Sequence, residues 1–177
     1  GATIPMGEGV VNMTVREPYG VCARIVAYNH PIMFTASRFA APVGAGNTVI
    51  MKPPVQAPLS AYRLAELIDG IFPPGVFNVL SGGQACGEAL VAHPKVPRIT
   101  LIGSIPTGRA IARAAADQLK HVSLELGGKN ALIIYPDADI DRAIAGAVKG
   151  MAFTWCGQAC SCTRTSTTGC WKGCWRA

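Results

Sequence analysis

The feature that most constrains this chain is a repeated exchange between short β-rich apolar runs and longer stretches with helical spacing of apolar side chains. Residues 20–28 form one such run, and Asn29-His30-Pro31 breaks it. Residues 32–43 then read as a helix that stops at Gly44-Ala45-Gly46, glycine being suited to a helix C-terminus. Residues 47–51 are a short buried strand halted by Pro53-Pro54, and 59–68 are a helix. A strand over 76–80, a glycine turn, a short helix over 87–92 and a strand over 98–102 follow. Ser104 is a good N-cap for a helix to about residue 119. Strands are expected over 122–126 and 131–135, and Asp137 opens a helix in which Ile140, Ile144, Ala147, Val148 and Met151 recur at helical spacing. Strands separated by helices imply βαβ units, and so an α/β fold with a mostly parallel sheet and helices on both faces. Such a sheet takes its ligand at the carboxyl ends of its strands. Residues 1–14, rich in glycine, suit a short hairpin.

Composition agrees with that architecture. Half of the 177 residues are hydrophobic, 15% are charged and 20 are glycine, as expected where parallel strands are covered on both sides. The net charge of +6 comes from scattered lysines and arginines with no basic run or aromatic alternation. Nucleic-acid binding is therefore not expected, and a modest positive field suits a nucleotide phosphate as well. No clean apolar stretch reaches the roughly 20 residues that cross a bilayer, so no membrane association is expected. Seven cysteines, an odd number, five of them at 156, 160, 162, 170 and 174, do not make a secreted disulfide framework. The expected setting is cytoplasmic, with reduced thiols.

Five places carry possible chemistry. Cys160 follows Gly157-Gln158-Ala159, in what reads as a loop after a helix; a thiolate there can attack a carbonyl, whereas a lone cysteine is ordinarily a small buried hydrophobe. Glu125 stands inside Leu124-Glu125-Leu126, where an acid is either neutralised by Lys129 or another base, or is a general base tuned by an apolar setting. Asn29 can serve a turn by its backbone habits or donate its amide to an oxyanion. Gly103-Ser104, with Gly108 beyond, opens a helix at a strand end, either as a plain cap or as an anion site. Lys52 ends a buried strand, facing a ligand crevice or snorkelling to solvent.

In order along the chain, Glu17-Pro18-Tyr19-Gly20-Val21, Tyr28-Asn29-His30-Pro31, Gly46-Asn47-Thr48-Val49-Ile50-Met51-Lys52-Pro53 and Pro74-Gly75-Val76-Phe77-Asn78-Val79 resemble the aldehyde dehydrogenase superfamily. Gly103-Ser104, Glu125-Leu126-Gly127-Gly128-Lys129, Asp137-Ala138-Asp139 and Gly157-Gln158-Ala159-Cys160 extend the resemblance over about residues 1–164. The resemblance implies NAD(P)-dependent oxidation of a small aldehyde to a carboxylic acid, on the branch of the family that hydrolyses its intermediate. Cys160 would form a thiohemiacetal and then a thioester, Asn29 would hold the oxyanion, and Glu125 would activate the hydrolytic water. Lys52, Gly103 and Ser104, with Ala27, Tyr28 and Gly108 in the same cleft, would hold NAD or NADP. It further implies an oligomerisation-type hairpin over 1–14, a partial NAD(P)-binding domain over 15–126, the start of a catalytic domain over 127–164, and a homo-oligomeric parent protein.

Departures from the family pattern are equally specific. Val55 stands where an acid is common, which predicts that NADP is tolerated beside NAD. Ile102 and Ile105-Pro106 flank the Gly-Ser pair unusually. Residues 165–177 do not resemble the family's apolar strand, and a frame error or truncation is the expected origin of this tail. Family members run to nearly three times this length, so the chain is expected to be inactive alone. A zinc or redox module built from Cys156, Cys160, Cys162, Cys170 and Cys174 is the alternative of another class, since two of the spacings suit metal ligands.

Overall fold

The computed structural model describes residues 1–128, 130–135, 137–152 and 158–162. The chain divides after Leu126 into a first compact unit, Gly1–Leu126, and a second that begins at Gly127.

The first unit opens with an antiparallel hairpin, β1 (Thr3–Pro5) and β2 (Val11–Met13), in which Thr3 stands opposite Met13. A five-stranded parallel sheet follows. Its strands are β3 (Val21–Ile25), β4 (Thr48–Lys52), β5 (Phe77–Val79), β6 (Arg98–Gly103) and β7 (His121–Leu126), arranged in the order β5-β4-β3-β6-β7. The chain steps outward from β3 through α1 (Pro31–Gly44) to β4 and through α2 (Leu59–Leu67) to β5. It then returns through α3 (Gln84–Ala92) to β6 on the other side of β3, and α4 (Ile105–Ala116) leads to β7. The reversal between β3 and β6 is the switch point at which doubly wound sheets open a crevice.

Strand alternation sends successive side chains to opposite faces. Ala23, Ile99 and Leu101 join Leu90 and Val91 of α3 with Ile111 and Ala115 of α4 in one apolar cluster. Cys22, Val49, Met51 and Ile102 join Phe34 of α1 in the other, with Phe39, Val43, Phe77 and Val79 at its margin. Helices thus cover both faces, as the apolar runs predict. α1 begins at Pro31, which a first turn accepts because its missing N–H has no partner to lose. The helix closes at Gly44, and Gly46 (φ +81°) turns the chain toward β4. Buried Asn47 fastens that turn: its Nδ2 donates to the Pro42 carbonyl at 3.0 Å, and its Oδ1 accepts from the Gly20 N–H at 3.1 Å.

In the second unit β8 (Asn130–Ile134) pairs in parallel with β9 (Gln158–Cys162), and α5 (Ile140–Ala152), which packs on β9, connects them. Ile134 and Ala147 are buried there. The sequence places Cys160 in a loop; the structure corrects this, pairing Cys160 with Leu132 inside β9. A ladder partner 28 positions away leaves no local trace. No helix of the described residues is long and apolar enough to cross a membrane.

Candidate active site

The candidate residues of the first unit fall on the carboxyl edges of four neighbouring strands. Register pairs Ile25 with both Lys52 and Leu101, Ile102 with Glu125, and Gly103 with Leu126. Reading across the sheet, the edge presents Lys52 from β4, residues 26–29 just past β3, Gly103-Ser104 from β6 and Glu125 from β7. The switch point lies in the middle of that row. The fold therefore brings together residues spread over some hundred positions of sequence. Cys160 belongs to the second unit.

Each position has a local cause. Val26 N–H donates to the Lys52 carbonyl at 3.2 Å, carrying the β3–β4 ladder one step beyond the strand before Ala27 and Tyr28 peel away. Ala27 packs at the margin of the apolar cluster, Tyr28 is exposed, and Asn29 is half-buried two residues before α1. Lys52 is only 8% exposed, so the reading in which it snorkels freely is set aside. Its stem runs past Gly87 of α3, where a Cβ would lie 3.6 Å from the Lys52 Cε. Neither ion pair among the described residues involves Lys52.

Ser104 caps α4: its Oγ accepts from the Thr107 N–H at 3.3 Å and lies 2.9 Å from the Thr107 Oγ1. Gly108 is buried, and a Cβ there would meet the Leu126 Cδ2 at 2.7 Å. Its visible role is to let α4 approach β7 closely, which is a packing reason for glycine at a helix–strand contact of a dinucleotide fold.

Glu125 differs from the sequence expectation in its surroundings. β7 is the edge strand, so the carboxylate flanked by two leucines is exposed rather than enclosed. It pairs with Arg38 of α1, Nη2 to Oε2 at 2.5 Å, the two side chains being 38% and 59% exposed. Lys129, the neutralising partner first in line from sequence, lies outside the described residues.

Arg38 is the residue that sequence reasoning missed. Its signal was present: residues 31, 34, 35, 38 and 42 lie at helical spacing along one stripe of α1, and Phe34, Thr35 and Pro42 on that stripe are buried. A lone charge on an inward stripe needs a counter-charge. Two further arginines extend the polar zone, Arg24 Nη1 donating to Thr100 Oγ1 and Arg98 Nη2 to Ser123 Oγ, each at 2.6 Å. Among the described residues no three His, Cys, Asp or Glu side chains cluster as metal ligands. Cys156, Cys170 and Cys174 of the alternative metal module lie outside them, as does the 165–177 tail.

A doubly wound sheet with a lysine, a capped helix start and a carboxylate along its switch-point edge defines the class of α/β proteins that open a ligand crevice there. Residues 1–167 match the Aldehyde dehydrogenase family, and the chain belongs to that family. The match runs three residues past the end of the sequence resemblance. The chain is 56% identical over 156 residues to the aldehyde dehydrogenase tropH of Talaromyces stipitatus, covering 88% of this chain and 30% of that protein. It is 46% identical over 162 residues to betaine aldehyde dehydrogenase 1 of Rhizobium meliloti, covering 91% and 33%. Among solved structures, the NAD+ complex of an aldehyde dehydrogenase from Bacillus cereus superposes with a TM-score of 0.93 at 34% identity, covering 98% of this chain and 37% of that one. The chain thus spans about a third of the length of the curated relatives it matches.

Proposed function

We propose that this chain carries the nucleotide-binding and reacting residues of an NAD(P)-dependent enzyme that oxidises a small aldehyde to a carboxylic acid. The observation that carries the reading is the row of Lys52, Ala27 to Asn29, Gly103-Ser104 and Glu125 on the edges of adjoining strands at the switch point, in a chain of this family. The donor set fits a dinucleotide: a lysine with no ion pair among the described residues and a helix start both favour phosphate, and exposed Tyr28 offers an apolar wall. Lys52, with Ala27 and Tyr28, would hold the adenosine side, and Gly103 and Ser104 the pyrophosphate. Gly108 supports them by holding α4 against β7. NAD or NADP bound there supplies the hydride acceptor of the reaction.

The protein's own residues would do the rest. The Cys160 sulfur attacks the aldehyde carbonyl, and the oxyanion that forms accepts from the Asn29 side-chain amide and the Cys160 N–H. Once the hydride has left, the acyl group is a thioester on Cys160. Glu125 takes a proton from water, the hydroxide adds to the thioester, and the thiolate departs as the carboxylic acid is released. In this reading 1–14 is the oligomerisation hairpin, 15–126 part of the nucleotide domain and 127–164 the start of the catalytic domain, with a homo-oligomeric parent in the cytoplasm.

Appearance of NAD(P)H absorbance with an aldehyde, in a full-length protein that carries this segment, tests the scheme. Glu125→Gln should lower turnover about 10²- to 10⁴-fold, the usual weight of a general base, and Cys160→Ser should abolish it. Full turnover in Cys160→Ser would sink the reading. The cofactor choice has its own test. Val55 is exposed in the loop after Lys52, and the segment 53–58 (Pro-Pro-Val-Gln-Ala-Pro) holds no acid to repel a 2′-phosphate. Titration of a full-length version with NAD and NADP should show both binding; binding of NAD with exclusion of NADP would refute it.

A further inference from the structure

The pairing of Glu125 with Arg38 is one-sided, and that asymmetry carries information. Arg38 reaches Glu125 through Nη2 and Oε2 only. Among the described residues the second carboxylate oxygen, Oε1, has no hydrogen-bond partner, and the Arg38 Nε is buried without an acceptor. A guanidinium placed for maximum binding of a carboxylate would make two parallel bonds. Here one oxygen is held and its twin is left open. β7 is an edge strand, both Glu125 and its leucine neighbours are exposed, and among the described residues Arg38 is the one side chain that pairs with the carboxylate. Arg38 is itself restrained. It rises from the buried stripe of α1, the helix that begins two residues after Asn29, so one helix joins the neighbourhood of the amide donor to the holder of the carboxylate.

From this geometry we infer that Arg38 is a positioning residue for Glu125, gripping Oε2 so that Oε1 stands ready to take the proton of the hydrolytic water. The inference rests on the proposed role of Glu125 as general base and adds the group that aims it. Arginine suits the task for a chemical reason. Its side chain stays protonated throughout the working pH range, so it orients the carboxylate and never exchanges a proton with it. Removal of Arg38 should slow thioester hydrolysis and leave formation of the thioester alone.

An activated ester separates those two steps without any cofactor. With p-nitrophenyl acetate the Cys160 thiolate forms a C–S bond as p-nitrophenolate leaves, giving a burst. Water then adds to the thioester, its proton passes to Glu125, and the thiolate leaves with release of acetate, giving the steady rate. The experiment uses a full-length protein that carries this segment and measures burst amplitude and steady rate for it and for its Arg38→Gln, Arg38→Lys and Glu125→Gln variants, with Cys160→Ser to identify the acylated thiol. Arg38→Gln should keep the burst and lose about tenfold in steady rate, a fraction of the general-base effect. Arg38→Lys should recover much of that loss. A steady rate unchanged or raised in Arg38→Gln, while Glu125→Gln is slow, overturns the role of Arg38 alone. Should Arg38→Gln lose the burst through misfolding, Arg38→Lys decides: a rate near that of the unaltered protein supports the role, and a rate as low as Glu125→Gln overturns it. Absence of a Cys160-dependent burst in the unaltered protein overturns the Cys160–Glu125 reading, and the positioning role falls with it.

Discussion

On β6, Ile99 and Leu101 point to one side of the sheet, while Arg98 and Thr100 point to the other. The first pair is enclosed by α3 and α4, with exposures of 0% and 2%. The second pair forms a sideways ladder in which Arg24 reaches from β3 to Thr100 and Arg98 reaches to Ser123 on β7. On that side the apolar cluster under α1 covers β4 and β3 and ends at Ile102. Beyond it polar side chains hydrogen-bond along the sheet, and Arg38–Glu125 closes the series. Arg24 lies within electrostatic reach of both Arg98 and Arg38; burial above all lowers its affinity for a proton, the neighbouring Cys22 in its thiolate form opposes this, and the two like charges add to the lowering. One face is thus held by exclusion of water, the other by directional bonds. The directional face ends in the carboxylate proposed to do chemistry.

That contrast breaks most easily at the apolar face. Leu101→Ala should cost about 2–5 kcal/mol in urea denaturation, the range for buried leucine, and a loss below about 1 kcal/mol would show that α3 and α4 do not enclose it tightly. On the polar face Thr100→Val should cost less, about 1–3 kcal/mol. It strips the acceptor from a half-buried guanidinium whose Nε is already buried without a partner. Ser123→Ala should cost about 1 kcal/mol or less, because Arg98 also stacks over the Tyr19 ring at 5.4 Å and keeps that contact. Equal losses at Leu101 and Ser123 would erase the distinction between the faces.

The smallest effect is a pH dependence. Burial pushes the Cys22 thiol up from its ordinary value of 9.0, against the pull of Arg24 and Arg98. A thiol harder to ionise when folded binds its proton longer than the unfolded chain does. Stability is therefore unaffected well below pH 9 and declines as pH rises past it, because only the unfolded chain gains the free energy of ionisation. The urea midpoint of the protein should fall relative to Cys22→Ala between about pH 8 and about pH 10; parallel curves would mean the thiol is not enclosed.

The alternation of elements was legible in the sequence to within a few residues, from Val21–Ile25 to His121–Leu126, because spacing and turn residues act locally. Ser104 was legible as a cap for the same reason, and the structure puts its Oγ on the Thr107 N–H. α4 ends at Ala116 rather than near residue 119, since Leu119 takes a left-handed backbone (φ +50°) that no local pattern announced. Glu125 looked enclosed because leucines flank it; sheet order puts its strand at an edge, where those leucines are 38% and 36% exposed. Cys160 looked like a loop residue because the partner of β9 lies across α5.

By itself the sequence determined the α/β class, the alternating elements, and which residue types were available for chemistry: a lysine ending one strand, a glycine-serine pair ending another, an acid in a third. These follow from short-range sterics, hydrophobic period and side-chain chemistry, which need no distant partner. Only the tertiary structure decided that these strands end side by side across a switch point, that β7 is open to solvent, and that Arg38 holds Glu125 across 87 positions of chain. Strand order and long-range ion pairs come from how the crossover helices fold the chain back on itself, and that return path is not written in any one window of residues.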